Sequence, residues 1–405
     1  MADSNYLQCQ KKIDPHFGTK AVHVGQNPDQ WSFKDVVPPI SMTTTYKQCG
    51  PNDHAGFDYS RCGNPTRNVL QNCIASLDNG KHCLTFASGM ASTTAVVQLL
   101  QAGDHILCSD DIYSGTNEYF SKIASKFNVK ITVADMTNDK SIAKLILPET
   151  KLVWMESSTN PCLKVADLES ISTIVHSIRK DIIVVVDNTV QTSYFQRPLE
   201  LGADVVFYSL SKYMNGHSDV TMGALVLNDT ELFDRLVFIQ TTCGIMSSPF
   251  DCYLVNRGLK TLHVRMKEHM KNGLAVAKFL EQHPLVEQVL YPGLPSHPQH
   301  KVAIKQASGF SGMLSFYIKG GIGEATRFLQ AIKVFCLAES LGGFESLASH
   351  PALMTHSSVP EEERAALKIT DNLIRLSVGL ESEEDLIADL DQALKASVEK
   401  QLCYN

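Results

Sequence analysis

The apolar run Ile-Ile-Val-Val-Val at 182–186 closes on Asp187, and a carboxylate ending such a strand needs a cation or a donor once it is buried. An aspartate in this place is, on its own, more often a cap for the following turn. Its weight grows with Tyr-Ser-Leu-Ser-Lys-Tyr at 208–213, which follows the next strand-like run and brings Lys212 near the same sheet edge. A lysine turns nucleophilic when burial or a neighbouring cation disfavours its charged form, and Ser209 and Ser211 flank it with hydroxyls that suit a phosphate. Solvated loop lysines are commoner, but not in such company. Ala-Ser-Gly-Met at 87–90 lies where a strand gives way to a helix, the place where backbone N–H groups meet phosphate, and Gly89 permits close approach. Tyr113, in Asp-Asp-Ile-Tyr-Ser-Gly, offers a ring that stacks on a flat molecule, although half-buried loop tyrosines are ordinary.

Together these groups suit pyridoxal 5'-phosphate (PLP): Asp187 for the pyridinium N–H, Lys212 for covalent attachment, the serines and Gly89 for the phosphate. A parallel sheet is the scaffold that gathers them. Its predicted strands are His82–Ala87, His105–Ser109, Lys130–Ala134, Lys151–Glu156, Ile182–Asp187, Asp204–Ser209 and Gly223–Leu227, with a helix at Arg67–Leu77 before the first and Gly89–Leu100 among those between them. One long helical stretch, Asp251–Gln282, then leads to the loop Tyr-Pro-Gly-Leu-Pro-Ser-His-Pro at 291–298. A smaller α+β domain is expected beyond it, with strands Gly312–Ile318, Val334–Ala338 and Leu373–Val378. Residues 1 to about 58, rich in Pro, Gln, Asn and Gly, lack sustained periodicity and read as an extended arm.

Composition sets the outer limits. A chain of 405 residues, 44% hydrophobic, buries a large core, which excludes a disordered or fibrous protein. Its apolar runs are strand-length, well short of the roughly 20 residues of a membrane span. The net charge of −7 is spread without a basic block, so neither nucleic acid nor a membrane is an expected partner. Eleven cysteines without a C-x-x-C pair suit free thiols, and the polar first residues lack the core of a secretory signal; a cytoplasmic location is expected. His297 and His300 sit in a Pro-rich loop rather than on a helix, and no metal site is expected. Two other patterns carry little weight. Gly-His-Ser-Asp-Val at 216–220 lacks the closing glycine of a nucleophile elbow, and Tyr208 with Lys212 resembles a dehydrogenase pair without a glycine fingerprint to accompany it.

Four stretches carry a specific resemblance: Tyr-Ser-Arg-Cys-Gly-Asn-Pro-Thr-Arg (59–67), Lys-Tyr-Met-Asn-Gly-His-Ser-Asp-Val (212–220), Tyr-Pro-Gly-Leu-Pro-Ser-His-Pro-Gln-His (291–300) and Ala-Glu-Ser-Leu-Gly-Gly-Phe-Glu-Ser-Leu (338–347). With them the chain, from about 21 to 395, resembles the transsulfuration family of PLP-dependent enzymes of cysteine and methionine metabolism. The resemblance implies an α/β, PLP-dependent transferase-like fold (aspartate aminotransferase fold type I), with a central mostly parallel sheet and a smaller α+β C-terminal domain. It divides the chain into an arm at 1–58 that contributes to the oligomer, a large PLP-binding domain at 59–255 and a C-terminal domain at 256–405. Lys212 then carries PLP, Asp187 pairs with the pyridine nitrogen, Tyr113 stacks on the ring, and Gly89, Met90, Ser209 and Ser211 hold the phosphate. Tyr59 and Arg61 reach the phosphate of a neighbouring subunit, which implies a homotetramer built as a dimer of dimers. Arg375, with Asn160 and Ser340, holds the substrate α-carboxylate; an arginine fork suits that group, although a structural carboxylate is the commoner partner for an arginine inside a strand.

The implied reaction is γ-elimination of L-cystathionine to cysteine, 2-oxobutanoate and ammonia, with Lys212 moving protons, Tyr113 as a donor to the leaving thiolate, and hydrogen sulfide release from cysteine as a side activity. Glu339 fits the lyase and synthase pattern, and Gly115 stands where methionine-cleaving relatives carry a cysteine. Cystathionine γ-synthesis is the alternative that shares these residues, and a catalytically weakened binding or regulatory paralogue is a second. Three positions depart from the family: Glu118 in place of an arginine, Val190 in place of an aromatic, and Ser158 in place of a proline. If position 118 faces the substrate channel, the reversed charge weakens cystathionine binding or alters substrate preference.

Overall fold

The computed structural model describes residues 9–357 and 359–398. The first eight residues of the expected arm and the last seven of the expected C-terminal domain lie outside that range. Two sheets organise the chain. The larger has seven strands: β1 (His82–Phe86), β2 (His105–Ser109), β3 (Lys130–Ala134), β4 (Thr150–Glu156), β5 (Ile183–Asp187), β6 (Val205–Ser209) and β7 (Gly223–Leu227), in the order β1-β7-β6-β5-β4-β2-β3. Strands β2 to β6 pair in parallel, whereas β7 runs antiparallel to both β6 and β1. The expected mostly parallel sheet is therefore present, with β7 reversed because it returns directly after the Lys212 loop without a crossover helix.

Helices cover this sheet, which explains why strands such as β7 are apolar and buried throughout. Their starts are chemically specified. Asn64 caps the helix Pro65–Leu77 by accepting from Arg67 N–H at 3.0 Å, with Pro65 at its first position, and Ser88 caps Gly89–Val97 by accepting from Ala91 N–H at 3.0 Å.

The second sheet has five strands, β8 (Val286–Leu290), β9 (Met313–Ile318), β10 (Cys336–Leu337), β11 (Leu347–Ser349) and β12 (Leu373–Ser377), in the order β10-β11-β12-β9-β8. Between the sheets the expected single helix is two, Pro249–Leu259 and Leu262–Gln282. Buried Arg265 lies just beyond the break and donates back across it to Gly258 O at 2.9 Å and to Tyr213 O at 2.6 Å, so the interruption ties the helices to the Lys212 loop. The arm is not wholly extended either. Its helix Phe17–His23 buries Phe17 edge-on against Tyr194, ring centroids 5.0 Å apart, but seven residues are too few to show a period. No helix among the described residues is long and apolar enough to cross a membrane.

Candidate active site

Parallel strands deliver their C-terminal residues to one edge, and here β4, β5 and β6 end on Glu156, Asp187 and Ser209. These residues line a cavity of about 560 Å³ whose opposite wall is the 338–341 segment of the second sheet's domain. Lys212 projects into it from the loop after β6, and its Nζ donates to Ser340 Oγ at 2.8 Å. Burial, reinforced by the Arg375 cation and opposed by Glu339, pushes the Lys212 amine down to about 8. The neutral, nucleophilic form is thereby easier to reach.

Asp187 is buried, and its Oδ1 accepts the backbone N–H of Thr189 at 2.9 Å. No cation pairs with it among the described residues. Burial raises its carboxyl group, and the Thr189 donors counter that by favouring the anion. Thr189 has a second task, since its Oγ1 accepts Ser209 N–H at 2.8 Å and so ties the ends of β5 and β6 together.

Gly89 and Met90 open the helix Gly89–Val97 at the cavity wall, where early helix N–H groups lack intrahelical partners. A Cβ on Gly89 would lie 3.5 Å from Ser209 Oγ, so the helix start and that hydroxyl form one concave surface. Behind it, a Cβ on Gly223 would meet Ser88 O at 2.5 Å and Gly89 Cα at 2.8 Å, which fixes how closely β7 packs beneath the turn. Ser211 also lines the cavity, although its hydroxyl already accepts Met222 N–H at 3.0 Å. Tyr113 stands at the start of the helix Ser114–Glu118, 48% exposed, with its ring over Gly115.

Arg375, buried in the middle of β12, donates to Asn160 Oδ1 at 3.0 Å and to Ser340 O at 2.9 Å. No carboxylate pairs with it among the described residues, so the structural ion pair expected of a strand arginine is absent. Burial pushes its guanidinium down to about 10. Ser340 adopts φ 94°, a strained value for a residue with a side chain, and thereby aims its hydroxyl at Lys212 while its carbonyl meets Arg375. Glu339 and Asn160 complete this wall.

Tyr59 and Arg61 do not line the cavity. Arg61 donates to Thr241 O at 2.9 Å and lies 5.5 Å from the centroid of the exposed Tyr59 ring. Glu118 is also outside it, paired with Lys122 at 2.9 Å one helical turn on. Val190 and the buried Glu156 are cavity residues, whereas Ser158 is buried in the loop after β4. Tyr208 points elsewhere, its hydroxyl donating to the buried Asp78 at 2.6 Å.

An uncompensated buried anion, a poised amine, a helix start beside a hydroxyl and an exposed ring surround one cavity, and this donor set fits PLP. The same conclusion follows from sequence comparison, in which the profile of the Cys/Met metabolism PLP-dependent enzymes matches residues 18–395. The chain belongs to that family. It is 59% identical over 382 residues to the cystathionine gamma-lyase of Homo sapiens, covering 94% of each chain. Among solved structures, cystathionine gamma synthase from Xanthomonas oryzae pv. oryzae in complex with cystathionine superposes with a TM-score of 0.91 at 40% identity, over 94% of this chain and 98% of that one. Cystathionine gamma-lyase from Lactobacillus plantarum, complexed with L-serine, does so with the same score at 36% identity, over the same shares.

Proposed function

We propose that the chain is a carbon–sulfur lyase that cleaves L-cystathionine by γ-elimination to cysteine, 2-oxobutanoate and ammonia. The observation that carries this reading is Arg375, a buried guanidinium whose described partners are a neutral amide and a carbonyl, held within reach of the Lys212 site through Ser340. Glu339 acts on it from a distance without forming an ion pair, and a substrate carboxylate would give the fork its direct partner.

Lys212 holds PLP, with Asp187 at the ring nitrogen and Gly89, Met90, Ser209 and Ser211 around the phosphate. Bound PLP supplies a protonated ring that accepts the electron pair left at the substrate's α-carbon. With PLP bound, Lys212 would be the base in reach of the α-proton and, once it has given that proton up, of the β-proton. Tyr113, whose ring lines the cavity, would stack on the cofactor, and its hydroxyl would give a proton to the departing thiolate. Arg375, Asn160 and Ser340 orient the α-carboxylate, and Glu339 faces the distal end of the substrate. Hydrogen sulfide release from cysteine follows from the same residues acting on a shorter substrate.

Tyr59 and Arg61, exposed and away from their own cavity, serve the phosphate of a neighbouring subunit in a homotetramer. The apolar side chains displayed by the arm, Phe33, Val36, Val37 and Met42, suit burial in such an assembly. The cytoplasm suits the ten described cysteines, all free.

Cystathionine synthesis is the second reading, favoured by the likeness to the synthase structure; the higher identity to the human lyase supports cleavage. Incubation of the purified holoenzyme with L-cystathionine decides between them. Release of 2-oxobutanoate and cysteine supports the lyase, pyruvate with homocysteine means β-cleavage, and turnover only with cysteine plus an activated homoserine means synthesis.

A further inference from the structure

The Asp187 carboxyl has a close neighbour. Glu156 ends β4 in register with Asp187 at the end of β5, so two carboxyl groups leave adjacent parallel strands at the same edge and both line the cavity. Glu156 is 5% exposed. Its Oε2 accepts the backbone N–H of Tyr113 at 2.9 Å, at the root of the helix Ser114–Glu118, and its own N–H donates to Ser109 Oγ at 3.4 Å. The groups that face it are Asp187 from β5, Asp111 from the segment after β2, and the backbone of Tyr113 and Asn160. Among the described residues no cation pairs with it.

Two buried carboxylates side by side do not both ionise when one cation serves them. Burial drives Glu156 well above the usual carboxyl range, and the negative charge of Asp187 drives it further. Both carboxyls receive donors, the Tyr113 and Asn160 backbone at Glu156 and Thr189 at Asp187, but Glu156 also faces Asp111, which directs the single negative charge to Asp187. A neutral acid at 156 still accepts from Tyr113 N–H through its carbonyl oxygen.

We infer that Glu156 is a positioning residue, held as the neutral carboxylic acid, that fixes the root of Tyr113 and leaves the edge's one negative charge on Asp187. The inference rests on reading Asp187 as the partner of the cofactor's ring nitrogen. Glutamine reproduces both features of the neutral acid, an acceptor for Tyr113 N–H and no charge, whereas alanine removes the acceptor.

The test compares the holoenzyme with Glu156→Gln, Glu156→Ala and Asp187→Asn variants by cofactor dissociation constant, pH midpoint of the visible absorption band, and thermal midpoint. Glu156→Gln is expected to keep the dissociation constant within about twofold and the absorbance midpoint within about 0.3 pH unit, and Glu156→Ala to weaken cofactor retention on the order of tenfold. A shift of about one pH unit or more in Glu156→Gln overturns the neutral acid, because only the loss of a charge moves the band so far. An alanine variant indistinguishable from wild type overturns the positioning role. If the alanine variant does not fold, the glutamine variant still decides the charge state. An Asp187→Asn variant with the wild-type midpoint overturns instead the reading of Asp187, whatever the Glu156 variants do.

Discussion

The ring of Tyr113 occupies the space above Gly115: a Cβ at 115 would lie 2.6 Å from Tyr113 Cε1 and 3.3 Å from Met90 Sδ. Even one methyl group must therefore displace the ring. A Gly115→Ala variant is expected to lose on the order of tenfold in kcat/KM for L-cystathionine through a misplaced Tyr113, while its thermal midpoint stays near wild type. Steady-state kinetics beside a melting curve check this, and unchanged kinetics would mean that the ring yields freely.

Lys212 sets a pH dependence that precedes any turnover. With its amine pushed down to about 8, mainly by burial, the neutral form that captures an aldehyde increases as pH rises through that value. Cofactor uptake by the apoprotein, followed as growth of visible absorbance, is expected to speed up with pH and level off above about 8. Lys212→Ala is expected to abolish that absorbance.

Arg375 offers a fork that a shorter cation lacks. Arg375→Lys keeps the charge but not the paired geometry and is expected to raise KM for L-cystathionine on the order of 100-fold, with the cofactor spectrum unchanged. A spectrum altered as much as the KM would place Arg375 with the cofactor rather than the substrate.

Behind the turn that Gly89 opens, Gly223 packs against the backbone of Ser88 and Gly89 without lining the cavity. Its substitution by alanine forces the backbone of Ser88 and Gly89 outward, and at least tenfold weaker cofactor retention is expected, measured by equilibrium dialysis.

Asp78 ties stability to pH. Burial raises its carboxyl from 3.8 to about 7, despite the hydrogen bond from Tyr208. The folded protein thus holds this proton more tightly than the unfolded chain does, so its contribution is full below about 4 and is lost as pH climbs toward about 7. The thermal midpoint of the apoprotein is expected to fall across that window, by the equivalent of roughly 4 kcal/mol at most, and Asp78→Asn to flatten the decline.

Much of this was legible in the sequence because most strands of the large sheet are buried and all are sharply bounded; β2, β3 and β7 fall where their residues predict. β8 was not, since Val-Glu-Gln-Val-Leu is a sheet-edge strand with a polar, exposed centre, and β11 is three residues long. Of the site, Asp187 and Lys212 announce themselves by closing or following apolar strands. Glu156 closes Leu-Val-Trp-Met in the same manner, but no motif beside it marks it out in the sequence. That Arg375 forms no ion pair with a carboxylate among the described residues is a property of three dimensions, since its partners Asn160 and Ser340 come from distant segments.

The hydrogen bond from Lys212 to Ser340 joins a loop of the first sheet to a strained residue beside the second. The chemistry therefore sits on a seam, and neither half of the molecule owns it. Heat or denaturant that parts the halves is therefore expected to break this hydrogen bond while both sheets remain folded, so that turnover is lost before the protein melts.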